Sequence, residues 1–291
     1  MLNFREITLE DKPLLEEILQ NSKEVSCENT FVNLFVWQKA YNNQIALKNG
    51  NLFIKYGTEA DESYRLPIGG DLEEGLREII RHCGGKYPVF WSPINEDFSR
   101  LPKWFSEKYH IVPTPDSFDY IYLQKDLAEL GGKKYHSKRN HISAFSKKYD
   151  WRYEEINQTN LESIKQCAEK WYAENQDRLD KYALAERDGI KTVLDNLKML
   201  NVTGGAVFVD TAAVAFTLGT PINDKVFDIF AEKALPEFAT AYTVINNEFA
   251  KTLKSFKYIN REDDMGIEGL RRAKLSYKPE VILEKYLFKP R

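Results

Sequence analysis

From Trp151 to the end, the order of apolar stretches admits few folds. Trp151 to Ile156 alternates as a strand, and helical periodicity covers 160–178 and 184–199. Gly204 to Val209 and Ala213 to Leu218 flank the turn residues Asp210 and Thr211, which predicts an antiparallel hairpin. Val226 to Ala231 reads as a further strand, followed by a long helix from Ala239 to Leu253 and a short strand from Phe256 to Ile259. A helix and a last strand, Val281 to Leu287, close the chain. Strands and helices interleaved in this order predict an α/β lobe on a mixed sheet.

The first half opens in the same way. Phe4 to Thr8 reads as a strand, and the helix after it carries Leu14, Leu15, Ile18 and Leu19 on one side. Thr8 and Asp11 stand three apart at its entrance, and Pro13 suits its first turn. Thr159 and Glu162 repeat that capping spacing ahead of Leu161, Ile164 and Ala168. The repeated opening predicts two copies of one α/β unit, and 291 residues suffice for two domains, 1–130 and 131–291. Ile45 to Leu47 and Leu52 to Tyr56 alternate around Asn49-Gly50-Asn51, a hairpin signal. Leu72 to His82 reads as a helix ended by Gly84 and Gly85, and Pro88 to Trp91 as a buried strand. The aromatic run from Asn29 to Tyr41 reads as core packing, with the wall of a substrate groove as the alternative.

The net charge of -3 conceals an asymmetry: 14 Lys and Arg face 21 Asp and Glu in 1–130, but 27 face 23 in 131–291. An anionic ligand therefore belongs with the second half. Within it, Gly131 to Tyr149 (GGKKYHSKRNHISAFSKKY) holds Lys133, Lys134, Lys138, Arg139, Lys147 and Lys148 without one acid until Asp150. The glycine pair breaks the preceding element. Tyr135, Ile142, Phe145 and Tyr149 then share one helical stripe, with Lys138 and Arg139 on its edges. A charged surface helix joining two lobes is one reading, and a site for phosphates is the other. His136 and His141, five apart, point about 140° from each other and cannot share a metal ion. Three widely spaced cysteines form neither a disulfide framework nor a zinc motif, so no metal site is expected. Catalytic serine, phosphate-loop and dinucleotide motifs are missing.

The run KKYHSKRNHISAFSKKY, preceded by the strand-like Tyr120 to Leu127, has a counterpart near the end, NREDDMGIEGLRRAKLSYKP (Asn260 to Pro279). Together they resemble the signatures of a bacterial family related to the C-terminal domain of phosphatidylglycerol lysyltransferase, and the resemblance covers most of the chain. It implies two tandem GNAT-like lobes, since the order from Trp151 onward is that of GNAT acyltransferases. It also implies transfer of an acyl group from a phosphate-bearing donor to an amine or hydroxyl acceptor. In GNAT enzymes the acceptor attacks directly, a carboxylate or water takes its proton, and a Tyr often protonates the leaving group. Their glycine-rich loop holds the pyrophosphate of acyl-CoA at a helix N-terminus. Here that position reads Lys233 to Ala241, with no glycine and with Glu237, which would repel a pyrophosphate. Fem-type relatives take the acyl group from aminoacyl-tRNA and do without the loop. Both donors, acyl-CoA and aminoacyl-tRNA, stay open.

Glu232, at the end of the central strand, is the candidate base, and Asp228 lies on the same side by strand alternation. A solvated or salt-bridged strand acid is the alternative for both. Tyr277 is the candidate general acid. The substrate-binding candidates are Lys134, His136, Lys138, Arg139 and Asn140 from the first run, and Asn260, Arg261, Glu262, Asp264, Arg271 and Lys274 from the second. Arg271 and Lys274 share a helical face and suit a phosphate or carboxylate, or a pairing with Glu268. Cations of the two runs, Arg139 and Arg271 among them, are expected to converge on one hollow of the C-terminal lobe. A catalytically inactive GNAT-fold binder of tRNA or another anionic ligand is the alternative to an enzyme. The N-terminus lacks a signal-peptide plan, no apolar run approaches about 18 residues, and the lysyltransferase's membrane part has no counterpart. A cytoplasmic protein with at most peripheral membrane contact is expected.

Overall fold

A computed structural model describes residues 1–58, 61–93, 98–176 and 181–291; residues 177–178 of the helical stretch predicted over 160–178 lie outside them. The chain forms two compact units, Met1–Asp119 with Asp263–Arg271 and Ile282–Arg291, and Tyr120–Glu262 with Arg272–Val281. The units therefore differ from the contiguous halves 1–130 and 131–291. The second begins at Tyr120 because the strand there belongs to its sheet, and the C-terminal strand returns to the first.

In chain order, β1 (Arg5–Glu6), α1 (Lys12–Asn21), α2 (Phe31–Val36), α3 (Gln38–Tyr41), β2 (Gln44–Lys48) and β3 (Asn51–Tyr56) come first. Then follow β4 (Ser63–Arg65), β5 (Ile68–Gly69), α4 (Leu72–His82), β6 (Val89–Pro93), α5 (Lys103–Lys108) and β7 (Tyr109–Pro113). Next are β8 (Asp119–Leu123), α6 (Gln124–Glu129), α7 (His136–Lys148), β9 (Trp151–Glu155), α8 (Leu161–Glu174), α9 (Lys181–Asp195) and α10 (Leu197–Leu200). The chain ends with β10 (Thr203–Val209), β11 (Ala212–Pro221), β12 (Val226–Ala234), α11 (Ala241–Thr252), β13 (Tyr258–Asn260), α12 (Glu268–Leu275), β14 (Val281–Leu283) and β15 (Lys285–Pro290).

The first sheet runs β1-β2-β3-β4-β6-β15-β7, with β5 on β3, and the second runs β14-β8-β13-β12-β11-β10-β9. Read from β1 and from β9, the two orders match place for place. Each is an antiparallel meander leading to one parallel pair, β4 with β6 or β12 with β13. The next place is filled antiparallel by a strand from elsewhere in the chain, β15 in one sheet and β8 in the other. This is the duplication that the repeated openings predict.

At the first opening Thr8 and Asp11 form the reciprocal capping box, and Leu15 and Leu19 are buried; Leu14, expected beside them, is 46% exposed. At the second opening the Thr159–Glu162 box does not form. Asn157 accepts the Thr159 N–H at 2.8 Å and Asn160 accepts the Asn157 N–H at 2.9 Å, so a side-chain turn displaces the box. Asn49 and Gly50 both take the left-handed conformation, and Ile45 faces Ile54 across the hairpin as its alternation predicts. The stretch Tyr120 to Leu127 is a strand only to Leu123 and a helix beyond it. The predicted last strand is two, β14 and β15, and they join different sheets.

Phe53, Tyr64, Leu76, Phe90, Phe105 and Tyr109 pack the first unit's core. Phe31 and Leu34 of the aromatic run are buried as core. In the second unit Phe145 of α7 packs with Val207, Ala215, Val244 and Ile245, while Tyr135 joins Tyr122, Leu127, Phe249 and Tyr277. Each such aromatic contributes about 2–3 kcal/mol of transfer free energy. These two anchors fix α7 and leave Arg139, Lys147 and Lys148 exposed.

Candidate functional site

In the second unit β12 and β13 run parallel as far as the pair Asp228–Asn260. Beyond it β12 continues to Ala234 against β11, while the chain leaves β13 at Arg261. The parting strands set Glu232 and Arg261 face to face, Nη2 to Oε1 at 2.7 Å, with both side chains largely buried. Asn246 of α11 reaches the other Glu232 oxygen at 3.4 Å. The Arg261 guanidinium lies 5.0 Å from the Tyr277 ring centre and 5.8 Å from that of Tyr122. Lys138 of α7 sits over the same Tyr277 ring at 3.8 Å.

The backbone of this corner is held by buried donors. Tyr122 gives its hydroxyl hydrogen to the Lys274 carbonyl at 2.8 Å, Tyr135 does so to that of Tyr277 at 2.9 Å, and the Lys274 ammonium donates to the Arg261 carbonyl. Lys274 thus braces the corner. Asn260 accepts the Glu262 N–H at 2.7 Å, a side-chain turn that carries Glu262 in the left-handed region. Beside the site β11 shifts register between Leu218 and Gly219, where a Cβ would come within 2.3 Å of the Asp228 carbonyl and the Phe227 ring.

Burial, and then the Arg261 charge, bring the Lys138 ammonium down to about 8, with Glu232 opposing them. Burial pushes the Tyr277 phenol up, so it keeps its proton at neutral pH. Asp228 is fully buried at the last parallel pair.

The other candidates have different surroundings. Lys134 pairs with Asp126 at 2.7 Å. His136 and Asn140 are exposed and hydrogen-bonded to each other at 3.2 Å. Arg139 donates to the carbonyls of Leu130 and Gly132, closing the turn that launches α7. Arg271, in the first unit, grips Asp264 with Nε and Nη2 at 2.7 and 2.9 Å and Asp116 at 2.7 Å. Arg139 is therefore occupied by carbonyls and Arg271 by carboxylates, and neither supplies the shared hollow expected of them. Of the basic run, Lys138 enters the cluster. Asn246 and Tyr122 were not anticipated; the only trace of Asn246 is a pair of asparagines inside the apolar stretch of α11.

At the position of the missing glycine loop, one 3-10 turn (Pro236–Phe238) precedes α11, and Glu237 pairs with Lys170 at 2.8 Å. Lys233 binds both oxygens of Glu186 at 2.8 Å and lies over Trp171.

In the first unit Cys27, Glu28 and Asp119 present ligand-type atoms within 4.8 Å of one another, the one such group among the described residues. The fully buried Lys285 ammonium fills the place of a cation there, 2.6 Å from Asp119 and 2.7 Å from Glu28. Burial alone would raise Glu28, but Lys285 holds it below the usual carboxylate range. Among the described residues no helix is long and apolar enough to cross a membrane.

The family model described as phosphatidylglycerol lysyltransferase, C-terminal, matches residues 19–289. An uncharacterised protein of Mycoplasmoides gallisepticum is 26% identical over 192 residues; the match spans 64% of this chain and 61% of that relative's length. A conserved protein of unknown function from Bacteroides thetaiotaomicron has a similar structure over 100% of both chains, with a TM-score of 0.92 and 35% identity. L-PGS from Bacillus licheniformis shares the fold over 96% of this chain and 91% of its own, with a TM-score of 0.64 and 14% identity. FemX does so over 98% and 96%, with a TM-score of 0.60 and 7% identity. The two units are GNAT-like lobes in tandem.

Proposed function

Since the chain belongs to the family of the phosphatidylglycerol lysyltransferase C-terminal domain, we propose that it is an acyl- or aminoacyl-transferase of the GNAT/Fem type. Its second lobe would move an acyl group from a phosphate-bearing donor to an amine or hydroxyl acceptor. The observation that carries this reading is the cluster formed where β12 and β13 part by Glu232, Arg261, Asn246, Lys138 and Tyr277. Glu232 takes the proton of the attacking acceptor through the oxygen that Arg261 leaves uncovered. Lys138 and Arg261 oppose the negative charge that grows on the carbonyl oxygen in the transition state. Tyr277 supplies the proton to the leaving group. Asp228, Asn260, Glu262 and Lys274 keep the corner in shape, and the exposed start of α7, with His136, Arg139 and Asn140 on it and Lys134 just ahead of it, meets the donor's phosphates.

Aminoacyl-tRNA suits this chain better than acyl-CoA, because the segment from Lys233 to Ala241 has no glycine to admit a pyrophosphate and presents Glu237 instead. The acceptor is a small molecule or peptide, in the cytoplasm or at a membrane surface. The purified protein is incubated with labelled aminoacyl-tRNA, and separately with labelled acetyl-CoA, in the presence of mixed amine and hydroxyl acceptors. Product is expected from the aminoacyl donor, and Glu232→Gln lowers its rate by about 10²–10⁴-fold. Absence of product from both donors sinks the reading. The Arg261–Glu232 ion pair is the observation that favours the alternative, a lobe that binds an anionic ligand without reacting.

A further inference from the structure

The second-lobe cluster is electrostatically incomplete as it stands. Lys138 and Arg261 bring two positive charges against the one negative charge of Glu232. Among the described residues no carboxylate lies within ion-pair distance of Lys138, whose close contact is the face of Tyr277 at 3.8 Å. Arg261 uses one terminal nitrogen on Glu232; the other, Nη1, is buried and makes no hydrogen bond. A buried donor without an acceptor is destabilising, because it has given up its hydrogen bond to water. A lysine drawn partly out of water with no counterion adds to that cost. One ligand chemistry relieves both.

We propose that the cluster binds an oxyanion, a phosphate ester or a carboxylate, between Lys138 and Arg261, and that binding is coupled to protonation of Lys138. This rests on reading the cluster as a substrate site and adds the charge of the group it takes. The groups that act on Lys138 are Arg261, Glu232 and the Tyr277 ring, and these in turn are bordered by the neighbouring elements. Arg261 follows β13, Glu232 lies within β12, Tyr277 follows α12 and Tyr122 lies on β8. Thr243 and Asn246 belong to α11, and Thr243 is in contact with His141 of α7 at 3.4 Å. On α7 itself Arg139 turns away to the Leu130 and Gly132 carbonyls. Burial and Arg261 hold Lys138 near 8 in the unliganded lobe. An oxyanion beside it favours the charged form and moves it back up. At pH 8 and above, binding must therefore draw a proton from the buffer. An ammonium ligand, accepted by Glu232 and the Asn246 oxygen, would act in the opposite sense.

The full chain is titrated by calorimetry at pH 8 in two buffers of different ionisation enthalpy. The probes are dimethyl phosphate, methyl phosphate, acetate and methylammonium. The wild type should take up roughly half a proton per anion at pH 8, with affinity falling up to about tenfold per pH unit well above it. Lys138→Arg should keep the binding within a few-fold and lose both the uptake and the pH slope. Lys138→Met should weaken it by about tenfold, and Lys147→Met should behave as the wild type; circular dichroism verifies that each variant is folded. The tightest anion names the source: the diester a lipid headgroup or polynucleotide, the monoester a free phosphate, acetate a carboxylate. Equal anion affinity in wild type and Lys138→Met overturns the proposal. So does methylammonium binding more tightly than every anion, or undiminished proton uptake in Lys138→Arg. Proton-coupled anion binding without any transfer product would leave this site standing and remove the transferase reading, whereas product without Lys138-dependent anion binding would do the reverse.

Discussion

Lys138 shows how a single side chain can be placed for chemistry at the expense of stability. In the folded chain it releases its proton near pH 8, well below the unfolded value of about 10.4. The unfolded chain therefore binds more protons between those values, and stability rises with pH across that window. Lys138→Met should accordingly stabilise the protein at pH 7 by about 1 kcal/mol, the full linkage being discounted for the side chain's partial exposure. The gain should vanish as the pH passes about 10.5. Urea unfolding at pH 7 and pH 10 measures both, and a variant less stable at pH 7 contradicts the assignment. Arg139, its neighbour, behaves otherwise. Its guanidinium closes the turn at Leu130 and Gly132, so Arg139→Ala should lower stability by about 1–2 kcal/mol without touching the pH dependence of anion binding. The basic run was legible as a helix with a buried stripe. Which of its cations faces the site was not, because that depends on where the Tyr277 ring lies, on a segment far away in the chain.

Among the elements, the pairing of β11 with β12 decides whether the site exists. The register shift at Gly219 brings β11 close to β12 beside Asp228, where a Cβ on Gly219 would lie only 2.3 Å from the Asp228 carbonyl oxygen. Gly219→Ala should therefore destabilise the second lobe by about 1–3 kcal/mol and loosen the Glu232–Arg261 pair. Thermal unfolding and Glu232-dependent transfer read the two effects separately, and an unchanged transition temperature would contradict the packing account. The hairpin at Asn49-Gly50 and the helix Leu72–His82 were predictable from local sequence, since turn residues and helical periodicity act within a few positions. The split of the last strand was not. Nothing between Val281 and Leu287 announces that β14 and β15 serve different sheets, because a strand's partner lies outside its own sequence.

For the molecule as a whole, the C-terminal strand is an interior member of the first unit's sheet, between β6 and β7. Lys285 begins it, and its ammonium joins Asp119 and Glu28 in an ion cluster. Lys285→Met leaves two acids without their cation and should cost the first unit about 3–5 kcal/mol. The double variant Lys285→Met with Asp119→Asn should recover part of that loss. Chemical denaturation measures both, and a double variant no better than the single one argues against charge as the cause. The sequence by itself determined the α/β class, the duplicated openings, the helix that carries the cations and the absence of a glycine loop before α11. Each of these is written in neighbouring residues, through periodicity, turn chemistry and charge. Tertiary structure alone decided the limits of the two units, the exchange of β8 and β15 between sheets that otherwise match, and the meeting of Lys138, Glu232, Arg261 and Tyr277. Those depend on contacts between residues far apart in the chain, which no local pattern encodes.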